Sequence, residues 1–270
     1  MLECVINVSE GRNLDLLDEL HVASGPSLRD LHADPFHNRS VFTLINDAGA
    51  LTRDVHALIS HAFATLDLRR HDGVHPRFGV VDVVPFVALA PESPSRAVEL
   101  RDETAQWITG SYDVPVFYYG PVDGVERTLP DVRKHAFGDL EPDLGPSTPT
   151  PQLGAVAVGA RGILLAWNIW LSDVSRDETR AIAKAVRRKE VRALALRADE
   201  SMQVSCNLIE PMAVGPSIVF DEVTALLPDG GRIDRCELVG LMPHAVLEAI
   251  DESRWTQLGL SEDQTIESRL

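Results

Sequence analysis

The chain has 270 residues, of which 44% are hydrophobic, and its formal net charge is −16. This length allows one large domain or two of ordinary size, with enough apolar residues for a sizeable core. The negative charge argues against a broad surface for nucleic acid or anionic membrane, and no apolar run approaches the ~18 residues of a membrane span. An anionic ligand must therefore meet a local cluster of arginines.

The three cysteines, Cys4, Cys206 and Cys236, lie far apart in the sequence. Their odd number and wide spacing give neither a disulfide framework nor a zinc-binding pattern. The first residues lack the basic stretch and apolar core of a signal peptide. We therefore expect a cytoplasmic protein, in a reducing compartment.

Short apolar runs alternate with helical periodicity in the first half of the chain. Asn13 is a suitable N-cap for the first helix, and Asp47 supplies turn chemistry ahead of the second. In chain order we expect a strand over 2–8, a helix over 14–20, a strand over 41–45, a helix over 51–66, a strand over 80–90, a helix over 93–107 and a strand over 114–119 that ends at Gly120–Pro121.

Residues 137–154 interrupt this pattern with four prolines and three glycines, which makes them the best candidate for an internal boundary. Pro243 is well placed at the first position of a final helix. Beyond the boundary we expect strands over 155–158, 163–171, 191–196, 202–208 and 233–239, and helices over 177–188, 218–226 and from 243 onward. Strands that alternate with helices predict an α/β or α+β sandwich.

The most informative segment is HDGVHPRFGVVDVVPF, residues 71–86, which places charged side chains beside an apolar run typical of a covered strand. Pro76 favours an extended backbone at His75. An imidazole at the mouth of such a strand, with Arg77 and Asp82 close in sequence, is typical of a general base. The alternative is a loop histidine that only caps the strand.

Polar residues also gather in 7–13, where the first strand leads into a helix, and in 32–41, which is expected to run from a loop into a strand. Asp34 followed by proline favours a turn. Asn38 and Arg39 offer amide and guanidinium donors, and arginine suits bidentate recognition of carboxylates. The alternatives are a capped strand–helix turn and a solvated turn.

A metal site built from histidines and an aspartate is another interpretation. His71 and His75 have the i, i+4 spacing of helical zinc ligands, but Gly73 and Pro76 oppose a helix there. We therefore expect no metal. The residues that such a site would draw on are His32, Asp34, His37, His71 and His75.

Two further segments combine uncharged polar groups. The loop Gly145–Gly154 carries three hydroxyls and one amide and could wrap a heterocycle, with a linker as the alternative. On a strand, Gln203, Ser205 and Asn207 share one face, which indicates either a sheet face over a wet cavity or an ordinary solvent-facing side.

Taken in order, these segments resemble the formiminotransferase family over nearly the whole chain. The segment centred on HPR and the GPS loop with its GAR sequel are specific. The matching stretches are ECVINVSEGRN at 3–13, HNRSVFTL at 37–44, HDGVHPRFGVVDVVPF at 71–86, VPVFYYG at 114–120, PDLGPSTPTPQLGAVAVGARGILLAWNI at 142–169, QVSCNL at 203–208 and ELVGLMP at 237–243.

The resemblance implies transfer of the formimidoyl group of N-formimidoyl-L-glutamate to N5 of tetrahydrofolate, with His75 as the acid/base. It implies two subdomains, 1–162 and 163–270, each a mostly antiparallel or mixed sheet packed with helices, with the folate site between them, and a homodimer. The residues implied to line the folate site are Gly145, Pro146, Ser147, Thr148, Pro149, Thr150, Pro151, Gln152, Leu153 and Gly154.

The chemistry agrees with these residue types. N5 must lose a proton and the departing glutamate nitrogen must gain one, and a single imidazole can do both near pH 7. The donor's carboxylates need cations, for which Arg12, Arg39 and Arg77 are candidates together with Asn38. Asp82 would orient His75, pair with Arg77 or be structural. The expected supporting residues are Asp34, Asp82, Gln203, Ser205 and Asn207.

Tetrahydrofolate is then a co-substrate, and no metal, nucleic acid or membrane is required. Three alternatives stay open. A formyl group differs from a formimidoyl group by one NH-for-O exchange, so the reaction could be formyl transfer between 5-formyltetrahydrofolate and glutamate. The others are a metal-dependent hydrolase that uses the histidine–aspartate cluster and a folate-binding protein without catalytic activity.

Overall fold

The structure, a computed structural model, describes residues 1–73, 77–198 and 201–270. It forms two compact units, Met1–Gly162 and Ile163–Leu270, each with a β-sheet and its own hydrophobic core. The first sheet is mixed and the second is antiparallel. The expected α/β (α+β) class with two sheet-and-helix units is therefore confirmed.

The first unit contains a seven-stranded sheet of order β2-β3-β1-β4-β7-β5-β6, in which β7 runs parallel to β4 and β5 and the other pairings are antiparallel. Its elements are β1 (Leu2–Val8), α1 (Leu14–Ala23), β2 (Leu28–Asp34), β3 (Arg39–Asn46), α2 (Ala48–Thr65), β4 (Val81–Ala88), α3 (Pro94–Tyr112), β5 (Val116–Val122), β6 (Val125–Arg127), α4 (Leu129–His135) and β7 (Val156–Arg161).

The two faces of this sheet differ in character. Leu2, Cys4 and Ile6 of β1 enter the main core, which also contains the apolar sides of α1, α2 and α3. Because side chains alternate along a strand, Glu3 and Asn7 point to the opposite face. Polar groups are thereby placed on one side of a strand whose other side is wholly apolar.

Local capping sets where the helices begin. The Asn13 side chain accepts a hydrogen bond from the Leu16 amide at 3.3 Å, as predicted for the start of α1. Asp47 does the same for α2, with Ala50 N at 3.0 Å. Ser93 precedes α3, whose first residue is a proline.

Three local predictions from sequence are wrong. Residues 32–34, expected to lie in a loop, belong to the edge strand β2. This strand has no apolar pattern of its own, and pairing with β3 supplies its backbone hydrogen bonds. The strand expected to end at Gly120–Pro121 continues to Val122, because Pro121 pairs with Glu126 in a hairpin. Pro243 is the N-cap, not the first residue, of a five-residue helix.

Residues 137–154 belong to the first unit and do not mark its boundary. Leu144 bridges to Val116, and Gly154 bridges to Gly79, so both ends of the GPS loop are tied to the first sheet region. This proline-rich composition therefore reflects a loop that packs on its own unit.

The second unit has a four-stranded antiparallel sheet of order β11-β8-β10-β9. In the described parts of the chain, no helix has the length and apolar character that crossing a membrane requires. The elements are β8 (Leu165–Ser172), α5 (Arg176–Ala185), β9 (Val191–Ala198), β10 (Ser201–Leu208), α6 (Pro216–Ala225), β11 (Arg232–Val239), α7 (His244–Glu248) and α8 (Trp255–Leu258).

Candidate functional site

The centre of the candidate site is the carboxylate of Asp82, which is fully buried in β4. One oxygen accepts hydrogen bonds from Arg39 and from Arg133, the latter at 2.5 Å, and the other accepts the Phe78 amide at 2.6 Å. Burial alone would raise the pKa of Asp82, but the attraction of the two guanidinium groups outweighs it and lowers the pKa to about 2. Asp82 is therefore ionised at neutral pH.

Arg39 is held from two sides. Its Nε donates to the side-chain oxygen of Asn7 at 3.1 Å, and its Nη1 donates to Asp82. Burial lowers the pKa of Arg39, Asp82 opposes that effect, and the positive charges of Arg133 and Arg77 lower the pKa further. Arg39 and Arg133 thus share one carboxylate, and Arg77 lies close enough for its charge to act on Arg39, which leaves a local excess of positive charge.

Arg77 does not pair with Asp82 among the described residues, so that interpretation from the sequence is wrong. Its Nη1 donates to Nδ1 of His71 at 2.6 Å, and its Nη2 donates to the Gly73 carbonyl at 2.8 Å. The carboxylate of Asp82 forms its ion pairs with Arg39 and Arg133. The other interpretation, in which Asp82 orients His75, involves a residue outside the described part of the chain.

His71 has both ring nitrogens engaged. Nδ1 accepts from Arg77, and Nε2 donates to the Asn38 carbonyl at 2.8 Å, which is the pattern of a neutral imidazole. Burial lowers the pKa of His71, and the charge of Arg77 lowers it further, while the hydrogen bond to Asn38 opposes them. A nitrogen that accepts from arginine is not available to bind a metal.

Asn38 ties three loops together. It has a left-handed backbone with φ of 48° and is buried. Its side-chain oxygen accepts the Gly11 amide at 3.0 Å, and its nitrogen donates to the Asp72 carbonyl at 2.7 Å. Because both ends of the amide bind backbone groups, Asn38 positions the loops around the site. The sequence had suggested a different role for Asn38, a contact with the donor.

The remaining candidates in this region also have structural contacts. Asp34 accepts the amides of Phe36 and His37 at 2.8 and 2.9 Å and so forms the turn between β2 and β3. Exposed Arg12 donates from Nε to the Pro35 carbonyl at 2.7 Å. Across the described residues, no group of three or more histidine, cysteine, aspartate or glutamate side chains is arranged to hold a metal ion.

The loop Gly145–Gly154 approaches the same end of the first unit. The Leu68 amide donates to the Gln152 carbonyl at 2.8 Å, and the Val80 amide donates to the Leu153 carbonyl at 2.9 Å. A Cβ on Gly154 would lie 2.4 Å from the Phe78 carbonyl, so this glycine is needed for chain packing. The loop therefore ends beside the residues that lead into Asp82.

The three polar residues of β10 lie in the second unit. Val204, Cys206 and Leu208 enter its core, and the alternate positions occupy the other face as predicted. Gln203 is fully buried, Ser205 is half-buried and Asn207 is exposed, so the face is not uniformly wet.

Sequence reasoning missed several polar residues. Arg133 gave no signal because it lies 51 positions from the aspartate that it binds. In the second unit, Trp170 donates from Nε1 to Glu237 at 3.3 Å, and Asn168 donates to the same carboxylate oxygen at 3.5 Å. Asn168 pairs with Ser205 across the strands. The alternation of polar and apolar residues in β8 was the available signal.

Comparisons with known proteins identify the family to which the chain is similar. The model of the formiminotransferase domain, N-terminal subdomain, matches residues 1–161. The chain is 30% identical to a glutamate formimidoyltransferase of Streptococcus pyogenes serotype M1, over 88% of this chain and 92% of that protein. The chain is also 30% identical to the glutamate formimidoyltransferase of Thermoplasma acidophilum, over 87% of this chain and 90% of that protein.

A longer kind of relative matches as well. The chain is 32% identical to the formimidoyltransferase-cyclodeaminase of Sus scrofa, over 92% of this chain and 51% of that protein. The chain thus spans about half the length of these longer relatives.

Proposed function

The chain belongs to the formiminotransferase family, and from that premise we propose that it transfers the formimidoyl group of N-formimidoyl-L-glutamate to N5 of tetrahydrofolate. Membership makes the chain a transferase. Two of the relatives above are named glutamate formimidoyltransferase, and the match covers 92% and 90% of their length. The donor and the acceptor are the parts that this proposal adds.

The observation that carries the proposal is the pair of arginines on Asp82 together with Arg77, whose charge reaches one of them. The chain as a whole bears a net charge of −16, which repels an anionic substrate at long range. Arg39 and Arg133 share the buried carboxylate of Asp82, and the charge of Arg77 also reaches Arg39, so the site itself is positive. A glutamate derivative brings two carboxylates, and guanidinium groups bind carboxylates through paired hydrogen bonds.

The proton transfers are assigned to His75. Attack by N5 releases a proton, and the leaving glutamate nitrogen takes one up, so one imidazole that alternates between base and acid suffices. The neighbouring His71 supports this choice because its two ring nitrogens are already bonded to Arg77 and to Asn38. The reaction as proposed uses no metal, since imidazole supplies both proton transfers.

We propose further that the loop Gly145–Gly154 and the residues Gln203, Ser205 and Asn207 bind the folate. Ser147 and Thr148 are exposed on that loop, which supports a role in binding. A cytoplasmic location is supported by the three free, buried cysteines, Cys4, Cys206 and Cys236. A homodimer is proposed from the family resemblance alone.

The test is a turnover assay with the pure protein, tetrahydrofolate and N-formimidoyl-L-glutamate, in which both glutamate and formimidoyl-tetrahydrofolate are quantified. His75→Ala should lower kcat by roughly 10²–10⁴, with folate affinity changed much less. His21→Ala, at an exposed position of α1, is the matched control. Wild-type turnover in the His75 variant would refute its role.

The same assay separates the alternatives. If the protein turns over only a formyl donor, the reaction is formyl transfer and not formimidoyl transfer. Donor hydrolysis without folate, lost on chelation and restored by zinc, would indicate the hydrolase. If the protein binds folate but turns over no donor, it is a folate-binding protein without catalytic activity.

A further inference from the structure

Glu3 is a buried carboxylate that the proposed reaction leaves unused. It interrupts the apolar strand β1 and is only 4% exposed. Burial raises the pKa of Glu3 to about 7, although the charge of Arg161 opposes this. Within the described residues, Glu3 has no side-chain hydrogen bond and no ion pair within 4.0 Å. A buried polar group without a partner is costly and calls for an explanation.

The described neighbours of Glu3 in the sheet form no hydrogen bond with its carboxylate oxygens. Strand pairing places Glu3 opposite Val87, and Val87 opposite Arg161, so all three share one face of the sheet. Arg161 donates to the Gly162 carbonyl at 2.8 Å, and its charge opposes the rise that burial causes in the pKa of Tyr119. Arg161 thus acts on Glu3 through its charge, without an ion pair within 4.0 Å among the described residues.

A second unpaired group lies on the same face. Thr43 pairs with Val5, which places it diagonally next to Glu3, and its hydroxyl is buried without a partner in the described parts of the chain. A carboxylate and a hydroxyl that both lack partners form an acceptor-rich site. The ligand that satisfies such a site must bring N–H donors.

The distance to the arginines limits what this ligand is. Asn7, which holds Arg39, lies on the face of β1 that carries Glu3, four residues further along. At about 3.3 Å per residue, the two positions are about 13 Å apart. That span accommodates a glutamate donor at Arg39, a reacting contact of about 3 Å to N5, and the width of a pterin ring.

We propose that Glu3 binds the edge of the pterin ring that carries the 2-amino group and N3–H. These two parallel N–H donors match the two oxygens of a carboxylate. The donor's amidine also carries N–H groups. It is attached next to a carboxylate that the arginines bind, however, and it cannot reach Glu3, which is about 13 Å further along the strand. This inference rests on the proposed function and names the residue that selects a folate.

The test compares two ligands on two proteins. Tetrahydrofolate and its analogue without the 2-amino group are titrated into the wild type and Glu3→Gln. The wild type should bind the analogue about 10–100-fold more weakly than tetrahydrofolate. Glu3→Gln should bind tetrahydrofolate about 10–100-fold more weakly than the wild type and should discriminate between the ligands by less than about threefold.

Controls separate binding from folding. Asp54→Asn removes another buried carboxylate, one that accepts hydrogen bonds from Ser27, and it should leave folate affinity and ligand discrimination unchanged. Glu3→Gln should retain the wild-type circular dichroism spectrum, and the KM for the formimidoyl donor should stay within about twofold of the wild-type value.

The outcomes distinguish this inference from the proposed function. Wild-type turnover together with unchanged folate affinity and discrimination in Glu3→Gln would overturn the role of Glu3 alone. Folate binding that depends on Glu3 without turnover by the wild type would support that role and refute the transferase proposal. A wild type that binds neither ligand would overturn both.

Discussion

Replacing Glu3 by glutamine should stabilise the protein at pH 8 and leave its stability near pH 4.5 almost unchanged. The pKa of Glu3 rises from 4.5 to about 7 on folding because the carboxyl is buried. The folded state therefore binds this proton more tightly than the unfolded chain does. The resulting stabilisation is fully present below pH 4.5 and is lost as the pH rises through 7. The difference between the two pKa values corresponds to about 3 kcal/mol.

The measurement is urea unfolding of the wild type and Glu3→Gln at several pH values from 4.5 to 8. Burial lowers the pKa of His56 to about 4, so His56 makes the fold more stable as the pH rises from 4 to 6.5, opposite to Glu3. The difference in unfolding free energy between variant and wild type removes that contribution. This difference in unfolding free energy should increase from less than about 0.5 kcal/mol at pH 4.5 to about 3 kcal/mol at pH 8.

Glu126→Gln is the control, because this glutamate is exposed on β6 and its replacement should change stability by less than about 0.5 kcal/mol at every pH. A constant difference between Glu3→Gln and the wild type from pH 4.5 to 8 would refute the reasoning. It would mean that the carboxylate is solvated or paired in the folded protein.

Three further predictions concern the site and the sheet. Arg133→Lys should raise the KM for the glutamate donor about tenfold, because lysine lacks the planar fork, and steady-state kinetics measures this. Gly159→Ala should destabilise the protein by about 1–3 kcal/mol in urea unfolding, because the new Cβ would lie 2.2 Å from the Tyr119 ring. Amides of Gly145–Gly154 should gain protection from hydrogen exchange when tetrahydrofolate is added.

Each of these has its own control or contrary result. Arg69→Lys changes an exposed arginine that pairs with Asp67, and it should leave the KM unchanged. Gly110→Ala, in the last turn of α3 with open space at its Cβ, should stabilise the protein by up to about 0.5–1 kcal/mol. Saturating folate with no added protection in the loop would remove that loop from the proposed binding site.

Much of the architecture follows from local sequence patterns. The short apolar run over Leu2–Val8 predicted β1, and the cap at Asn13 predicted the start of α1, because both depend on residues that are neighbours in the chain. The edge strand over 28–34 was missed for the opposite reason. Its stability comes from β3 and not from an apolar pattern of its own.

The candidate site shows the same division. The stretches that contain Arg39, Arg77 and Asp82 were identified because charged residues beside apolar strands are unusual. Which of these charges pair was decided by the fold, and Arg133 could not be found from the sequence because α4 alone brings it to Asp82.

The sequence by itself determined the class of the fold, the family and the segments that carry polar chemistry, since periodicity, caps and motifs are local. Only the tertiary structure decided that Asp82 binds Arg39 and Arg133, that His71 is bonded on both sides, and that Glu3 is buried with no hydrogen bond or ion pair among the described residues. The physical reason is that ion pairing and burial depend on which strands become neighbours, and strand pairing is a property of the whole folded chain.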